Sequence, residues 1–424
     1  MNEEIKLPKG WKIVEFKDVC NKIGDIDHKM PVQLSSGYPY VSTKDFTDDL
    51  KISFDNVKYI SKEDYLNLSR KIKPEKGDII FPRYGTIGKN ILVNFDKEFL
   101  VSYSCAVIKP NHNLVLSKYI YLYSLSPKIT EEIRKYTVET TQANVGISSI
   151  KSFIFPLPPL AEQAAIVAKI EELLSDLENG KQQLLTVQAQ LKVYRQSLLK
   201  WAFEGKLTNK NVKEGELPKG WKWVKITDIA ENNKHSLKAG PFGSSLKKEF
   251  YVNAGYKIYG QEQVISDNAF FGDYFINEEK YEELKSCKIK PFDILISLVG
   301  TVGKVLILPG NCEAGVINPR LIKITLNKDI YLHKFFKYYF ESSYVKNFYG
   351  SKAQGTTMDV LNLGIIKTIP FPLPPLAEQQ RIVEELESKL TVCDKIEETI
   401  SQSLAQAETL RQSILKKAFE GKLV

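Results

Sequence analysis

Two long motifs occur twice in this chain of 424 residues, and this duplication constrains the fold more than any other feature. FPLPPLAEQ occupies Phe155 to Gln163 and returns unchanged from Phe371 to Gln379, 216 residues later. RQSLLKWAFEGKL, which starts at Arg195, returns at the same offset as RQSILKKAFEGKL. Solenoid repeats have periods of about 20–50 residues, so this longer period indicates a tandem duplication of one whole folding unit.

Shorter motifs extend the duplication into segments that otherwise differ. LPKGW occurs from Leu7 to Trp11 and again from Leu217 to Trp221, and GTIGK at Gly85 corresponds to GTVGK at Gly300. Between these shared anchors the two copies diverge strongly. We therefore expect one scaffold that presents two different surfaces, and such a chain is suited to recognising two different targets at a fixed separation.

The segments after PLPPL have the apolar spacing of coiled-coil helices. Apolar or small residues recur at alternating intervals of four and three, with small slips of phase in the second copy. These positions are Ile166, Ile170, Leu173, Leu177, Gly180, Leu184, Val187, Leu191, Tyr194 and Leu198, and then Ile382, Leu386, Leu390, Cys393, Ile396, Ile400, Leu404, Ala407, Leu410 and Ile414. Prolines before the first turn and glycines after the last turn supply start and stop signals. About 44 residues at 1.5 Å each predict two rods of roughly 65 Å that pack on each other.

The segments outside the helices have the pattern of mixed α/β domains. Short β-branched and aromatic runs, such as GDIIFPRYG from Gly77 and FDILISLVG from Phe292, end in glycine turns and are typical of strands. The predicted fold class is α/β, with two tandem domains and two long helices. We place the first domain at residues 1–155, the first helix at 156–207, the second domain at 208–370 and the second helix at 371–424.

The net charge of +8 is carried by the two predicted domains and not by the helices. Residues 1–155 contain 23 basic and 19 acidic side chains, and residues 208–370 contain 23 and 17. The helical segments hold slightly more acidic than basic residues. A basic excess confined to the two domains favours nucleic acid as their ligand.

The glycine turns supply a first set of candidate DNA contacts. Each turn presents a threonine and a lysine at the end of a strand, and the lysine is suited to contacting a phosphate. A plain β-turn explains the same residues equally well. A nucleotide-binding P-loop is excluded, because Arg83 and Leu298 stand where its first glycine is required, and Asn90 and Val305 follow the lysines.

Polar clusters near the end of each predicted domain supply a second set. TVETTQANVGIS begins at Thr137 and SKAQGTTMDVLN begins at Ser351. Gln and Asn can pair with adenine, and Thr can contact a thymine methyl group or a phosphate, although a turn-rich linker explains these residues almost as well. KAGPFGSSLKK, from Lys238, adds small donors and lysines that suit phosphate contacts, whereas its counterpart DIDHKMPVQLSSG carries acids.

The candidate DNA-binding residues follow from these segments and from the polar residues near them. They are Arg83, Tyr84, Thr86, Lys89, Thr140, Thr141, Gln142 and Asn144 in the first predicted domain, and Lys238, Ser244, Ser245, Gln261, Ser297, Thr301, Lys304, Gln354, Thr356 and Thr357 in the second.

The sequence contains no catalytic or metal-binding constellation. It has no G-x-S-x-G elbow and no glycine-rich dinucleotide motif, and its five cysteines form no C-x-x-C pair. We therefore predict a chain without enzymatic activity or bound metal, with reduced thiols. It has no apolar run of membrane-span length and no signal-peptide core at its start, so we expect it in the cytoplasm.

The order of these motifs resembles the specificity subunit of type I DNA restriction-modification systems. The similarity covers the whole chain: a variable half precedes a PLPPLAEQ helix that ends in AFEGKL, and this pair then repeats. The resemblance implies that each variable half is a target-recognition domain for one half of an asymmetric bipartite DNA sequence. It also implies that the two helices form an antiparallel coiled coil, which spaces the domains around a pseudo-two-fold axis.

The resemblance further implies the partners of the chain. The helices would dock two modification (methyltransferase) subunits, restriction-translocation subunits would join, and the partner would hold the S-adenosylmethionine cofactor. The loop residues of the family correspond here to Arg83, Thr86 and Lys89 in the first half, and to Thr301 and Lys304 in the second. Two competing hypotheses are a coiled-coil adaptor whose globular halves bind RNA or protein, and a partner of a fused endonuclease-methylase outside the type I architecture.

Overall fold

The structure, a computed structural model, describes residues 7–27, 30–136, 144–209, 211–213, 215–352 and 361–424. The chain divides into two compact units, one formed by Met1–Leu185 with Ser401–Val424 and the other by Thr186–Ile400. Six of the candidate DNA-binding residues lie outside the described residues: Thr140, Thr141, Gln142, Gln354, Thr356 and Thr357.

The first unit contains an α/β domain followed by the start of a long helix. Its strands are β1 Lys12–Glu15, β2 Cys20–Gly24, β3 Tyr38–Val41, β4 Lys58–Ile60, β5 Ile79–Pro82, β6 Ile91–Leu92, β7 Leu100–Val101, β8 Cys105–Pro110 and β9 Ile154–Leu157. Its helices are α1 Phe16–Val19, α2 Lys62–Ser69, α3 Ser117–Tyr123, α4 Pro127–Tyr136 and α5 Ile147–Lys151, and the long helix is α6 Leu160–Phe203.

The second unit repeats this arrangement. Its strands are β10 Lys222–Val224, β11 Leu237–Ala239, β12 Tyr256–Tyr259, β13 Phe275–Ile276, β14 Ile294–Ser297, β15 Val305–Ile307, β16 Gly315–Ile317, β17 Leu321–Ile324 and β18 Phe371–Leu373. Its helices are α7 Ile226–Ile229, α8 Gln261–Ile265, α9 Glu278–Glu283, α10 His333–Phe340, α11 Ser343–Lys352 and α12 Leu363–Ile366, and the long helix is α13 Leu376–Phe419.

The strand order is the same in both units. In the first, β1 pairs with β9, the order β2-β8-β5-β6 forms an antiparallel sheet, and the order β4-β3-β7 forms a second sheet. In the second, β10 pairs with β18, and the corresponding orders are β11-β17-β14-β15 and β13-β12-β16. The pairs β3·β7 and β12·β16 are both parallel. The duplication therefore includes the segments whose sequences differ, which confirms the predicted fold class of two tandem α/β domains.

The four-stranded sheet of each unit is buried on both faces. In β5, Ile79 and Phe81 belong to the core that includes the helices, whereas Ile80 belongs to the core shared with the three-stranded sheet. In β14, Ile294 and Leu295 divide between two cores in the same way. Successive side chains of a strand point to opposite faces, so a strand buried on both sides becomes a continuous apolar run. This explains the runs DIIFP and DILIS.

Both long helices contain 44 residues, as predicted from the apolar spacing. Within the first unit, Ile166 and Ile170 near the start of α6 share a core with Leu415 and Ala418 near the end of α13. Within the second unit the relationship is reversed, because residues near the end of α6 share a core with the start of α13. The helices therefore run antiparallel to each other within each unit and fit a coiled coil.

The buried positions do not follow the predicted seam throughout. In the part of α6 that belongs to the second unit, Leu191 and Leu198 are buried, but Val187 and Tyr194 are 42% and 41% exposed. A single neighbouring helix covers only a narrow stripe, so these two residues of the predicted four-three pattern stay exposed although the helices fit a coiled coil. Apolar surface consequently remains exposed on the helices. No helix among the described residues has the length and apolar character that crossing a membrane would require.

Candidate nucleic-acid interface

The repeated tryptophan of LPKGW is joined to the repeated glutamate of the long helix in both units. Trp11 Nε1 donates a hydrogen bond to Glu162 Oε1 at 2.8 Å, and Trp221 Nε1 donates to Glu378 Oε2 at 3.1 Å. Each glutamate lies in the first turn of its helix, where the helix dipole stabilises a negative charge. LPKGW and PLPPLAEQ therefore recur together because they join each domain to the start of a long helix.

The AFEGKL motif at the end of each long helix packs against one domain. The end of α13 contacts the first domain, and the end of α6 contacts the second. Phe419, the last residue of α13, packs edge-on against Tyr123 and Tyr119 of α3, with ring centroids 5.0 and 5.3 Å apart. In the second unit the last residue of α6, Phe203, packs in the same way against Tyr339 of α10 at 5.0 Å. Each domain is thus held by the start of one long helix and the end of the other, and the repeated motifs belong to the scaffold.

The first glycine turn connects β5 to β6 at one end of the four-stranded sheet. Gly85 has a φ of +69°, a left-handed conformation that glycine adopts without steric cost. Among the described residues, no atom outside its chain neighbours lies within 4 Å of a Cβ placed there, so the turn faces open space. The Thr86 N–H donates to the Tyr84 carbonyl at 2.8 Å, and the Lys89 N–H donates to the Thr86 carbonyl at 3.1 Å. The predicted strand and tight glycine turn are confirmed here.

Arg83 lies at the base of this turn and is buried. Its Nη1 forms an ion pair with Asp25, and its Nε donates to the Val145 carbonyl at 2.9 Å. Nη1 also lies 3.4 Å from the Tyr103 carbonyl oxygen. The guanidinium therefore ties the turn to three other loops, which contain Asp25, Tyr103 and Val145. A direct contact between Arg83 and DNA stays a prediction, and it would require this buried pair to open.

The remaining candidates of the first turn are accessible to different degrees. Lys89 is exposed, and its ammonium lies 2.8 Å from the fully exposed carboxylate of Asp48, whose pKa it lowers. The hydroxyl oxygen of Thr86 is buried and has no hydrogen-bond partner among the described residues. Tyr84 forms an isolated β-bridge with the exposed Asn144. The fold thus brings the glycine turn and one residue of the predicted polar cluster together.

The second glycine turn connects β14 to β15 and has the same geometry. Gly300 has a φ of +71°, and the Val302 N–H donates to the Gly300 carbonyl at 2.9 Å. Thr301 is exposed at the tip. Lys304 is also exposed, and its Nζ lies 3.8 Å from Glu341 Oε1. Both turns therefore carry an exposed lysine, but the threonines differ, because Thr301 is exposed and the hydroxyl of Thr86 is buried.

Two other candidates of the second unit, Ser297 and Gln261, form hydrogen bonds at the base of the second glycine turn. Ser297 is fully buried, and its hydroxyl accepts a hydrogen bond from Gln261 Nε2 at 3.0 Å. Gln261 Nε2 also donates to the Val299 carbonyl, while its Oε1 lies 3.4 Å from Nη1 of Arg320. In this arrangement Ser297 is not accessible to DNA. Arg320 is exposed beside the turn. It is not among the predicted contacts, because nothing local distinguishes Asn-Pro-Arg from an ordinary loop.

The KAGPFGSS segment reaches the same end of the sheet. Lys238 is half-buried in β11 opposite Lys323 of β17, and Ser244 and Ser245 lie in a short helical turn that follows the strand. The Gly240 N–H donates to the Leu321 carbonyl at 2.9 Å. β17 is antiparallel to both β11 and β14. The loop after β11, the Gly300 turn and Arg320 therefore lie at the same end of the four-stranded sheet.

Chemically, these surfaces are equipped for recognition. Burial raises the pKa of the Cys105 thiol, next to the first turn, to about 12, so the thiol stays protonated and is not a nucleophile near neutral pH. Among the described residues, no group of His, Cys, Asp and Glu side chains could hold a metal ion. What the turns offer is exposed ammonium, guanidinium, hydroxyl and backbone N–H groups, which are the donors that contact phosphates and base edges.

Two tandem α/β domains, each held by both long helices and each presenting a glycine turn, define a duplicated recognition scaffold. A family described as type I restriction modification DNA specificity domain matches residues 8–187 and again residues 218–406. The chain therefore belongs to this family and is a specificity subunit of a type I restriction-modification system, the targeting component of such a system. The resemblance inferred from the motif order is confirmed.

Individual relatives agree with this assignment. The chain is 26% identical to the type I restriction enzyme EcoKI specificity subunit of Escherichia coli K12, over 99% of this chain and 90% of that protein. It is 24% identical to the StySPI specificity subunit of Salmonella potsdam, over the same shares of both chains.

Solved structures show the same fold. A chain from a study of complex assembly and conformational transition of the type I restriction-modification system matches with a TM-score of 0.73 and 23% identity, covering 99% of this chain and all of that one. The HsdS subunit from Thermoanaerobacter tengcongensis matches with a TM-score of 0.61 and 22% identity, covering 99% of this chain and 98% of that one.

Proposed function

We propose that each α/β domain reads one half of an asymmetric bipartite DNA sequence. The observation that carries this proposal is the contrast between scaffold and surface: the strand order and the glycine turn are the same in both domains, but the side chains around the turn differ. In the first domain Asn144 stands beside the turn, and in the second Arg320 stands there. Different base-edge donors on equal scaffolds suit two different half-sites.

The exposed lysines of the turns are suited to positioning the duplex. Lys89 pairs with the fully exposed carboxylate of Asp48, and Lys304 lies 3.8 Å from the half-buried carboxylate of Glu341. Both lysines are exposed and both pairs are weak enough to exchange for a phosphate. The backbone N–H groups of the open turns add uncharged donors for the same purpose. These contacts would fix register, and side chains such as Asn144, Arg320 and Thr301 would supply sequence dependence.

We further propose that the long helices dock two modification (methyltransferase) subunits, and that restriction-translocation subunits join this assembly. The support is the apolar surface that the helices leave exposed, including Val193 at 62% and Val392 at 55% in the second unit and Leu410 at 51% in the first. Contiguous apolar surface on a protein is typical of sites that bind a partner protein, and we infer that these side chains belong to such a surface. Helices present in both units suit two copies of one partner.

The chain itself is proposed to be non-catalytic, with S-adenosylmethionine held by the modification subunit. The support is the protonated thiol beside the first turn and the lack of a glycine-rich cofactor motif in the sequence. Isothermal titration of S-adenosylmethionine into the purified chain should give no binding signal, and titration into the assembled complex should give one. Cofactor binding by the chain alone would contradict this assignment.

The experiment that tests the recognition proposal is an exchange of the second domain. Residues 217–370 are replaced by the equivalent segment of a relative, and the methylated sites are mapped by methylation-sensitive sequencing in a host that also expresses the modification subunit. We expect one half-site to change and the other to stay the same. A matched exchange of the first domain, residues 7–155, should change only the other half-site. If both half-sites changed in either exchange, the domains would not read DNA independently.

A further inference from the structure

Phe242 is the most exposed large apolar side chain among the described residues, at 88%. It stands on the loop that follows β11, in the KAGPFGSS segment, and it is absent from the contacts predicted from the sequence. A single exposed apolar residue is common on protein surfaces and needs no explanation by itself. The anchoring of this loop and the charged residues near it favour a binding role for Phe242.

The loop is anchored on both sides of the ring. Before it, the Gly240 N–H bonds to the Leu321 carbonyl, and a Cβ on Gly240 would overlap the Asn318 carbonyl, so the backbone is pressed against the neighbouring loop. After it, Leu246 is buried in the core between the sheets. The Ser245 N–H closes the loop by donating to the Phe242 carbonyl at 2.8 Å. A short loop fixed at both ends holds the ring out in water before any partner arrives, which lowers the entropic cost of using it.

Cationic residues flank the loop in the chain and lie at the same end of the sheet. Lys238 precedes the loop and Lys248 follows it, while Arg320 stands at the same end of the sheet, where its carbonyl accepts from the Leu298 N–H at 3.0 Å. None of these three cations forms an ion pair with any other residue that the structure describes. An exposed apolar ring on a loop flanked by such cations suits a polyanion that also offers apolar surface, and duplex DNA has both properties.

The first unit exposes apolar side chains at the corresponding place. The segment after β2, the strand equivalent to β11, carries Met30 at 63% and Val32 at 74% exposure. Two loops of unrelated sequence thus expose different large apolar side chains after equivalent strands. That difference is expected if the two domains contact different bases.

We propose that Phe242 is a specificity-determining residue of the second domain, and that its ring makes an apolar contact with a base of the second half-site. This inference rests on the proposed function, in which the second domain reads DNA. The chemistry recognised is the apolar surface of a base, which is available either on the face of a base where a step opens or on the 5-methyl group of thymine. Phe242 acts beside the cations, which hold the phosphates.

The test uses the complete complex with its modification subunits, once the recognised sequence has been mapped. Dissociation constants are measured for the intact site, for a duplex with the first half-site scrambled and for a duplex with the second half-site scrambled, each at several salt concentrations. Phe242→Ala should weaken binding to the intact site on the order of tenfold, as loss of an aromatic contact with a base does elsewhere. It should not change binding to the duplex that lacks the second half-site. Phe242→Leu should retain part of the affinity.

The salt dependence separates this contact from an ionic one. Because Phe242 releases no counterion, Phe242→Ala should leave the slope of log K against log salt unchanged, whereas Lys238→Ala should reduce it by about 0.9 if that ammonium contacts a phosphate. Phe292→Ala is the matched control, because Phe292 is also more than half exposed but precedes the opposite end of β14. It should leave affinity and slope unchanged.

Two further arms identify the surface that the ring touches. In the first arm, 2-aminopurine is placed in the second half-site. If its fluorescence rises when the unaltered complex binds but not when Phe242→Ala binds, the ring contacts an opened base step. In the second arm, one thymine is replaced by uracil. If this lowers the DNA affinity of the unaltered complex to that of Phe242→Ala, the ring contacts the methyl group. Either result supports the proposal.

The outcomes that overturn the proposal are distinct from failure of the proposed function. If the unaltered complex binds its site specifically and Phe242→Ala binds equally well, the inference is wrong and the function stands. A loss shared by the duplex without the second half-site, or a changed salt slope, also overturns it. Failure of Phe242→Ala to assemble with the modification subunits would assign the ring to a protein partner instead. Absence of any sequence-specific binding by the unaltered complex would refute the proposed function, and this inference with it.

Discussion

The carboxamide of Gln163 bonds to the backbone of Leu116, 47 residues earlier in the chain. Its Oε1 accepts from the Leu116 N–H at 2.9 Å, and its Nε2 donates to the carbonyls of Leu114 and Pro158 at 3.0 and 2.9 Å. Gln379 makes the equivalent three contacts in the second unit, and both glutamines are fully buried. The glutamine of PLPPLAEQ therefore satisfies three backbone groups that would otherwise be buried without partners.

Replacement of this glutamine should destabilise its domain strongly. Gln163→Ala leaves one N–H and two carbonyls without their partner, and a buried polar group without a partner costs about 1–3 kcal/mol. We expect a loss of about 3 kcal/mol in the free energy of unfolding, measured by urea denaturation. Gln183→Ala, on the exposed face of the same helix, should change it by less than about 0.5 kcal/mol. A small effect at position 163 would mean that water replaces the amide.

Substitution of Arg83 should lower the stability of the first domain, whereas substitution of Lys89 should weaken DNA binding. Arg83→Ala removes one counter-ion of the buried carboxylate of Asp25 and leaves Lys71, at 3.1 Å, in place. Removal of one partner from a buried pair costs about 3–5 kcal/mol, and the remaining lysine places the expected loss near the lower end. Lys89→Ala should leave unfolding within about 0.5 kcal/mol, because its partner Asp48 is fully exposed.

DNA binding should show the reverse order for these two residues. Lys89→Ala should weaken binding equally for all sequences and reduce the salt slope by about 0.9, as expected for one lost phosphate contact. Binding is measured on the complete complex at temperatures where both variants are folded. If Arg83→Ala proved as stable as the unaltered protein and lost only sequence preference, Arg83 would be a base contact and not a support of the turn.

The buried carboxyl of Asp293 should make the stability of the second domain depend on pH. Burial raises its pKa above the ordinary value of 3.8, against the opposing effects of Thr325 and Lys323. The folded state then holds the proton more tightly than the unfolded state. The stabilisation of the folded state by this tighter proton binding is complete below pH 3.8. It is lost as the pH rises through the raised pKa of Asp293.

Asp293→Asn removes this titration and preserves the side-chain shape. The variant should therefore gain stability relative to the original as the pH rises from 3.8 through the raised pKa, and the difference should be constant above that range. Urea denaturation across this range, followed by the fluorescence of Trp221 and Trp223, provides the measurement. A difference that does not change with pH would show that the carboxyl is not shifted upward.

The long helices should act as a ruler for the gap between half-sites. A four-residue insertion near Gln188 of α6 lengthens the helix by about 6 Å, close to two base pairs at about 3.4 Å each, and nearly preserves helical phase. A two-residue insertion rotates the following residues by about 200° and moves buried positions such as Leu191 and Leu198 toward water.

We expect the complex that contains the four-residue variant to methylate a site with a longer gap and unchanged half-sites. The two-residue variant should fail to assemble, which size-exclusion chromatography with the modification subunit would detect. Methylation-sensitive sequencing provides the gap length. A four-residue variant that kept the original gap would refute the ruler and leave the helices as docking surfaces alone.

The sequence by itself determined the duplication, the α/β class of the repeated unit and the 44-residue length of both helices. These features are local or periodic: apolar spacing, prolines before the first turn and Gly205 and Gly421 after the last one act through neighbouring residues. The glycine turns were predictable for the same reason. A strand run followed by Gly-Thr leaves few alternatives, and both turns are found at the ends of their strands.

Only the tertiary structure decided which candidates are exposed and what lies beside them. Arg83 and Arg320 are both arginines near a turn, yet one is buried against Asp25 and the other faces solvent beside Gln261. The sequence does not show whether Phe242 is buried, and the residue is exposed because Gly240 and Leu246 anchor its loop. Burial depends on which distant strands pair, and β11, β14 and β17 come together over more than 80 residues of chain. No local pattern encodes that pairing, because it follows from packing of the whole domain.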